Sequence, residues 1–162
     1  MSERVFFSSY SAQIEIPRYR LLRDGFVAPR LDGRRMRSWD TFYSEIAAAC
    51  QFPTYFGRNF AATADLLTDF EWLPAGKGRV LCIAFADDVL VDEDAEELGS
   101  AVDLFEGASE YWRGGTTDRD IWGNELGASV FAVVLHSALA PGDGSLARWR
   151  HLGGTLTSFD NF

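Results

Sequence analysis

The sequence predicts an α/β domain in which three strands alternate with helices, and three observations carry that prediction. Val80 to Phe85 and Val130 to Leu135 are short, continuously apolar runs, the pattern of strands buried on both faces of a parallel sheet. The stretches after Ser38, Asn59 and Asp87 place apolar residues at helical spacing. The segments separating the strands are long enough for the crossovers that parallel strands require.

At 162 residues and 47% hydrophobic, the chain can bury one sizeable core and is read as a single domain, residues 1–162. The formal net charge is −9, which argues against a binder of nucleic acid, because that affinity rests on clustered Lys and Arg. It favours a cationic partner instead. The charge is uneven: residues 1–37 hold eight arginines against four acids, whereas Val80 to Trp112 holds ten carboxylates and no Lys or Arg. Two cysteines, Cys50 and Cys82, lie inside apolar runs and read as free, buried thiols of a cytoplasmic protein. No apolar run approaches the ~20 residues of a membrane span. The opening MSERVFF lacks the layout of a signal peptide. The expected compartment is the cytoplasm.

Taken in order, Val5-Phe6-Phe7 and Ile14 to Ile16 read as a strand pair added at a sheet edge across a Ser-rich turn, Pro17 confining the second to an edge. Phe26 to Leu31 is the first strand of the main pattern, imperfect at Pro29, with Asp32-Gly33 as its turn. Ser38 caps a helix whose Trp39, Phe42, Tyr43, Ile46 and Ala49/Cys50 face inward.

Pro53 ends that helix and opens a loop, Phe52 to Arg58, in which Gly57 supplies backbone freedom. Asn59 is the N-cap of the next helix. Phe60, Thr63, Ala64 and Leu67 are expected inward, and Ala61, Asp65, Thr68, Asp69 and Trp72 share the other face. Pro74 to Gly78 is a loop with the wrong glycine spacing for a P-loop. Asp87 to Gly107 reads as one or two acidic helices with Leu98, Val102 and Phe105 inward, continuing through Tyr111-Trp112 to a stop at Gly114-Gly115. Residues 116–128 form a polar loop, and the Gly-rich tail from Pro141 tucks Trp149, Leu156 and Phe159 onto the body.

The chemistry concentrates in Phe52 to Trp72. An acid pair four apart, such as Asp65 and Asp69, is ordinarily a solvated helix surface. Here no Lys or Arg offsets a repulsion worth ~0.2–0.5 kcal/mol, both acids lie beyond the helix's positive end, and exposed aromatics precede them. That suits an interaction surface.

The run P-T-Y-F-G-R-N-F-A-A-T-A-D-L-L-T-D resembles the loop and second helix of the barstar family, small intracellular inhibitors of secreted bacterial ribonucleases. L-D-G-R-R-M-R-S-W-D-T-F, from Leu31, is similar to that family's first strand, turn and first helix. The resemblance implies a small three-stranded parallel sheet with helices packed on it, a core at about 25–137, an N-terminal addition (1–24) and a C-terminal extension (138–162). It also implies a non-enzymatic, cofactor-free inhibitor or immunity protein that blocks a basic ribonuclease or nuclease toxin. Asp65 matches the family's phosphate-mimicking aspartate, Tyr55 its loop aromatic, Gly57 and Asn59 the loop and cap, and Thr68 a polar contact. Phe56 lies in the same loop, and Asp69 and Trp72 are the residues expected to compensate for two departures. Those are Ala61 and Ala64, where the family often carries an aspartate and a tryptophan. Glu106 or Glu110 is expected to supply the late-helix acid.

Two other readings stay open. The fold could serve as an interaction module for a basic protein that is not a nuclease. A hydrolase using Asp65 and Asp69 as an acid–base pair is disfavoured, since such pairs need distinct environments. Gly142-x-Gly144-x-x-Ala147 lacks room for the βαβ unit of a dinucleotide site. His136 and His151 have no ligand partners at metal spacing, and Ser129 and Ser137 lie in no nucleophile-elbow sequence.

Overall fold

The computed structural model describes residues 5–10, 14–74, 76–152 and 156–162. Five parallel strands form one sheet: β1 (Phe6–Ser9), β2 (Arg30–Asp32), β3 (Gly78–Ala84), β4 (Val130–His136) and β5 (Thr157–Ser158), in spatial order β2-β3-β4-β1-β5. The three-stranded core of the sequence reading is β2-β3-β4, and the two terminal additions extend it by β1 and β5. Alternation along the strands sends Leu31, Leu81, Ile83, Phe131, Val133 and Leu135 to one face. That face is covered by α2 (Trp39–Ala49), α3 (Phe60–Leu67), α4 (Glu97–Gly114) and Trp149 of α5 (Ala147–His151). Val80, Cys82, Ala84, Ala132 and Val134 face the other way, onto Ile14, Leu21 of α1 (Glu15–Arg23) and Phe159.

Several expectations need correction. The second N-terminal patch is not a strand but the start of α1, with residues 11–13 of the intervening turn outside the described residues. Pro17 falls in the first turn of that helix, where a missing N–H costs nothing. The partner patch, β1, lies between β4 and β5, not at an edge. The first main strand is shorter than Phe26 to Leu31, but Pro29 is accommodated because β2 is an edge strand and only its carbonyl is needed, accepting from the Cys82 N–H at 2.8 Å. Phe60 is not buried: it is 39% exposed, its ring edge-on to Trp39. Helix does not begin at Asp87. A single 3-10 turn, Ala86–Asp88, follows β3, and α4 starts only at Glu97.

That turn anchors the tail. The Asp87 carboxylate accepts from the Ser137 hydroxyl at 2.5 Å and the Leu146 N–H at 2.6 Å, and the Trp149 indole donates to the Ala86 carbonyl at 2.9 Å. Cys50 and Cys82 are free and buried on opposite sides of the sheet, and burial pushes the Cys82 thiol up to about 12. His136 is structural here, its Nδ1 accepting from the Phe85 N–H at 3.2 Å. Among the described residues no helix is long and apolar enough to cross a membrane.

Arg79 brings a cation into the core. It is fully buried on β3, with its guanidinium 4.4 Å from the Trp112 ring centroid and Nη1 3.4 Å from the Ser129 hydroxyl. Among the described residues Nε and Nη2 have no partner. Burial pushes its pKa down to about 10, against an opposing pull from Asp120.

Candidate functional site

The loop at 52–58 is held from within and from behind. The Phe56 N–H donates to the Pro53 carbonyl at 3.0 Å, closing a turn. The half-buried Phe56 ring packs edge-on against Phe52 and Tyr43, so Phe56 braces the loop while Tyr55 projects from it, 70% exposed. The left-handed residue is Arg58 (φ 51°), not Gly57. Gly57 instead makes room: a Cβ there would stand 3.2 Å from the Asn59 amide nitrogen. Arg58 crosses back to α2, with Nη1 on the Ser44 hydroxyl at 3.0 Å and Nη2 on the Asp40 carboxylate at 2.9 Å.

Asn59 caps α3 as the sequence predicts, its Oδ1 accepting from the Ala62 N–H at 2.8 Å. Thr63, Leu66 and Leu67 turn inward, and Ala61 and Asp65 are exposed. The helix stops at Leu67, a turn earlier than the periodicity suggests. The Thr68 hydroxyl donates back to the Ala64 and Asp65 carbonyls at 3.2 and 3.0 Å, and Phe70 (φ 53°) swings the chain so that its ring enters the core. Asp69 and Trp72 therefore do not continue the face of Asp65. Asp69 is half-buried with Oδ1 accepting from the Glu71 N–H at 3.3 Å, and the Trp72 indole donates to the Cys50 carbonyl at 2.9 Å.

Asp65 instead looks across a groove between α3 and α4. About 370 Å³ in volume, it is lined by Ala64, Leu104 and Ala108, with Phe60 and Tyr111 also in the lining. Asp65 and Thr68 border it from α3 and Asp103 from α4. Asp103, not Glu106 or Glu110, is the α4 acid that lines this groove. Gly107 and Tyr111 follow it at helical spacing, while Glu106 and Glu110 lie outside the groove lining. Among the described residues neither Asp65 nor Asp103 takes part in an ion pair. The acids beyond Phe60 add to the negative field. Glu97 accepts from the Trp39 indole at 2.6 Å and Glu93 from the Trp39 N–H at 2.9 Å. Burial, then the charges of Glu97 and Glu93, hold the Tyr43 phenol above its ordinary pKa.

The arrangement offers a carboxylate on a capped helix, a second across an apolar-lined groove, and an exposed tyrosine on a braced loop. It can accept charge-assisted hydrogen bonds from a cationic surface. Among the described residues no group of three or more His, Cys, Asp or Glu could hold a metal ion.

Comparison with known proteins bears directly on this geometry. A family model described as Barstar (barnase inhibitor) matches residues 26–124, more than half of the chain, from the approach to β2 through α4. No curated protein matches the chain.

Proposed function

Because the chain belongs to the barstar family, a family of non-enzymatic ribonuclease inhibitors, we propose that it blocks the active site of a basic, barnase-type ribonuclease or nuclease toxin in the cytoplasm. Loop 52–58 and α3 form the blocking surface. A site that cleaves RNA must be cationic to hold a phosphodiester, and a rigidly held carboxylate can occupy the phosphate position. Asp65 has that role, with Tyr55 packing on the enzyme and Thr68 at the groove edge. Phe56, Gly57 and Asn59 set the loop and the start of the helix, Asp69 lies at the margin, and Trp72 supports the surface from behind. Asp103 supplies the second charge that Ala61 does not.

One observation carries the reading: Asp65 is exposed, without a cation partner, on a helix whose cap and preceding loop are fixed by hydrogen bonds. The experiment is an inhibition titration of a barnase-type ribonuclease with the full chain and with Asp65→Ala. Loss of a charged contact at the centre of an interface should cost about 2–5 kcal/mol of binding, with melting temperature nearly unchanged. Inhibition that survives the substitution intact would remove Asp65 from the site. Binding of a basic protein without nuclease activity would favour the interaction-module reading, for which the open groove at Ala64 is the specific ground.

A further inference from the structure

The loop between α4 and β4 is far from slack. The Asp120 side chain is buried and accepts from the Trp122 N–H at 3.0 Å, the Asn124 N–H at 2.8 Å and the Asn124 amide at 3.0 Å. These bonds, with burial opposing them, leave its pKa below the ordinary value. Arg119 and Glu125 form an antiparallel bridge, reinforced by the Arg119 guanidinium on the Glu125 carboxylate at 2.9 Å. The Ile121 N–H donates to the Glu71 carbonyl at 2.8 Å, which docks the loop against the segment that follows α3. Leu126 is buried beneath it.

Yet the apex of this fixed turn shows two large apolar side chains to solvent, Ile121 at 63% and Trp122 at 59% exposure. Neither contributes much to folding where it stands, and polar residues would serve solubility better. Tryptophan on a preorganised loop is the residue type that most often dominates a protein interface, because its large surface is buried at small entropic cost.

Resting on the inhibitor reading above, we propose that the Ile121–Trp122 apex is a second contact on the same basic partner, seated on an apolar patch beside the cationic site that receives Asp65. Position supports this occupant: Ile121 is anchored on the Glu71 carbonyl, two residues past Asp69, the residue at the margin of the proposed surface. Charge supports it as well. Exposed Glu71, Asp118 and Glu125 lie on these segments against one exposed cation, Arg119, already paired with Glu125, so the local balance is acidic and pairing of two copies would press like charges together in a chain of net charge −9. A basic protein meets the same rim with opposite sign.

The test uses the full chain against a barnase-type ribonuclease, with rapid-mixing kinetics on wild type, the double variant Ile121→Ser/Trp122→Ser, and Asp65→Ala. The double variant should bind about thirty-fold more weakly or worse, through faster dissociation, with its association rate and salt dependence unchanged. Asp120→Ala, which frees the loop but keeps Trp122, should also weaken binding, by a smaller factor, which marks Asp120 as a positioning residue. If Asp65→Ala loses affinity while the double variant matches wild type, the apex proposal is wrong and the inhibitor reading stands. If wild type does not inhibit the enzyme at all, both fall. If wild type sediments as a dimer that the double variant converts to monomer, the apex is a self-association surface and the proposal is overturned.

Discussion

The Arg58 guanidinium reaches from the proposed binding loop to α2 and holds the Asp40 carboxylate at 2.9 Å, so the loop is fixed by the helix that precedes it. Both groups are largely solvated, and such a pair adds little to stability. Its effect is on the loop's freedom. Arg58→Ala should therefore change unfolding free energy by less than ~1 kcal/mol while raising amide exchange across 52–58 and weakening partner binding. Unchanged exchange in that segment would show that the aromatic packing of Phe56 suffices.

Arg79 should be worth more replaced than kept. A buried cation with two unpaired nitrogens costs desolvation that stacking on Trp112 only partly offsets. Arg79→Met, which keeps the aliphatic stem, should be neutral or stabilising by ~1–2 kcal/mol in urea unfolding, whereas Arg79→Ala leaves a cavity and should cost ~2–4 kcal/mol. The pH sign follows from the depressed folded-state pKa. The unfolded chain binds the proton more tightly, so the penalty is full at neutral pH and is relieved as pH rises above about 10. The advantage of Arg79→Met should shrink over that range.

Cys50 and Cys82 should be silent to thiol reagents in the native state. Burial raises both thiols far above neutrality, which removes the reactive thiolate. Labelling should proceed only at the rate of global opening, and native and reduced masses should agree. Rapid labelling of either cysteine would mean that its side of the core opens locally.

On the acid side, Asp32 is held down by the Arg34 side chain, and Glu15 first by the amide at its own helix start and then by Arg30. Folded pKa values below the unfolded ones give stability that is present above about pH 4 and lost as pH falls through the folded values. Because the arginines that pair with these carboxylates, Arg34 and Arg30, stand more than half exposed, Asp32→Asn should cost only ~0.5 kcal/mol at pH 7 and nothing at pH 2. An equal cost at both pH values would assign the loss to the capping bond on the Arg34 N–H instead.

The core strands and helices were legible because each carries its own periodic signal. Val80 to Phe85 and Val130 to Leu135 read as buried strands on sight, and Ser38 and Asn59 as caps. Of the two added strands, β1 (Phe6–Ser9) was legible as a strand in Val5-Phe6-Phe7 but not its inner place in the sheet, and β5, only Thr157–Ser158, was not legible at all. Both owe their place to long-range pairing, and Pro17 misled in the same region because its position within a first turn is invisible to composition. On the candidate surface, the exposure of Asp65 and Tyr55 and the Asn59 cap could be read directly. Asp69 and Trp72 were grouped with them because periodicity does not register that Phe70 leaves the helix with a positive φ. Asp103 was missed through the same weakness in register: only packing against α3 decides which stripe of α4 faces the groove.

The sheet order also dictates when this protein can fold. Residues 6–9 are made early, yet their neighbours are β4 and β5, so Phe6 waits for Val133 and Phe7 for Thr157. Pairs so distant in sequence carry a high loop-closure cost and form slowly. Until β4 has been made, β2 and β3 can pair but β1 has no partner, and the apolar Phe6 and Phe7 stay open to chaperones, proteases and other nascent chains.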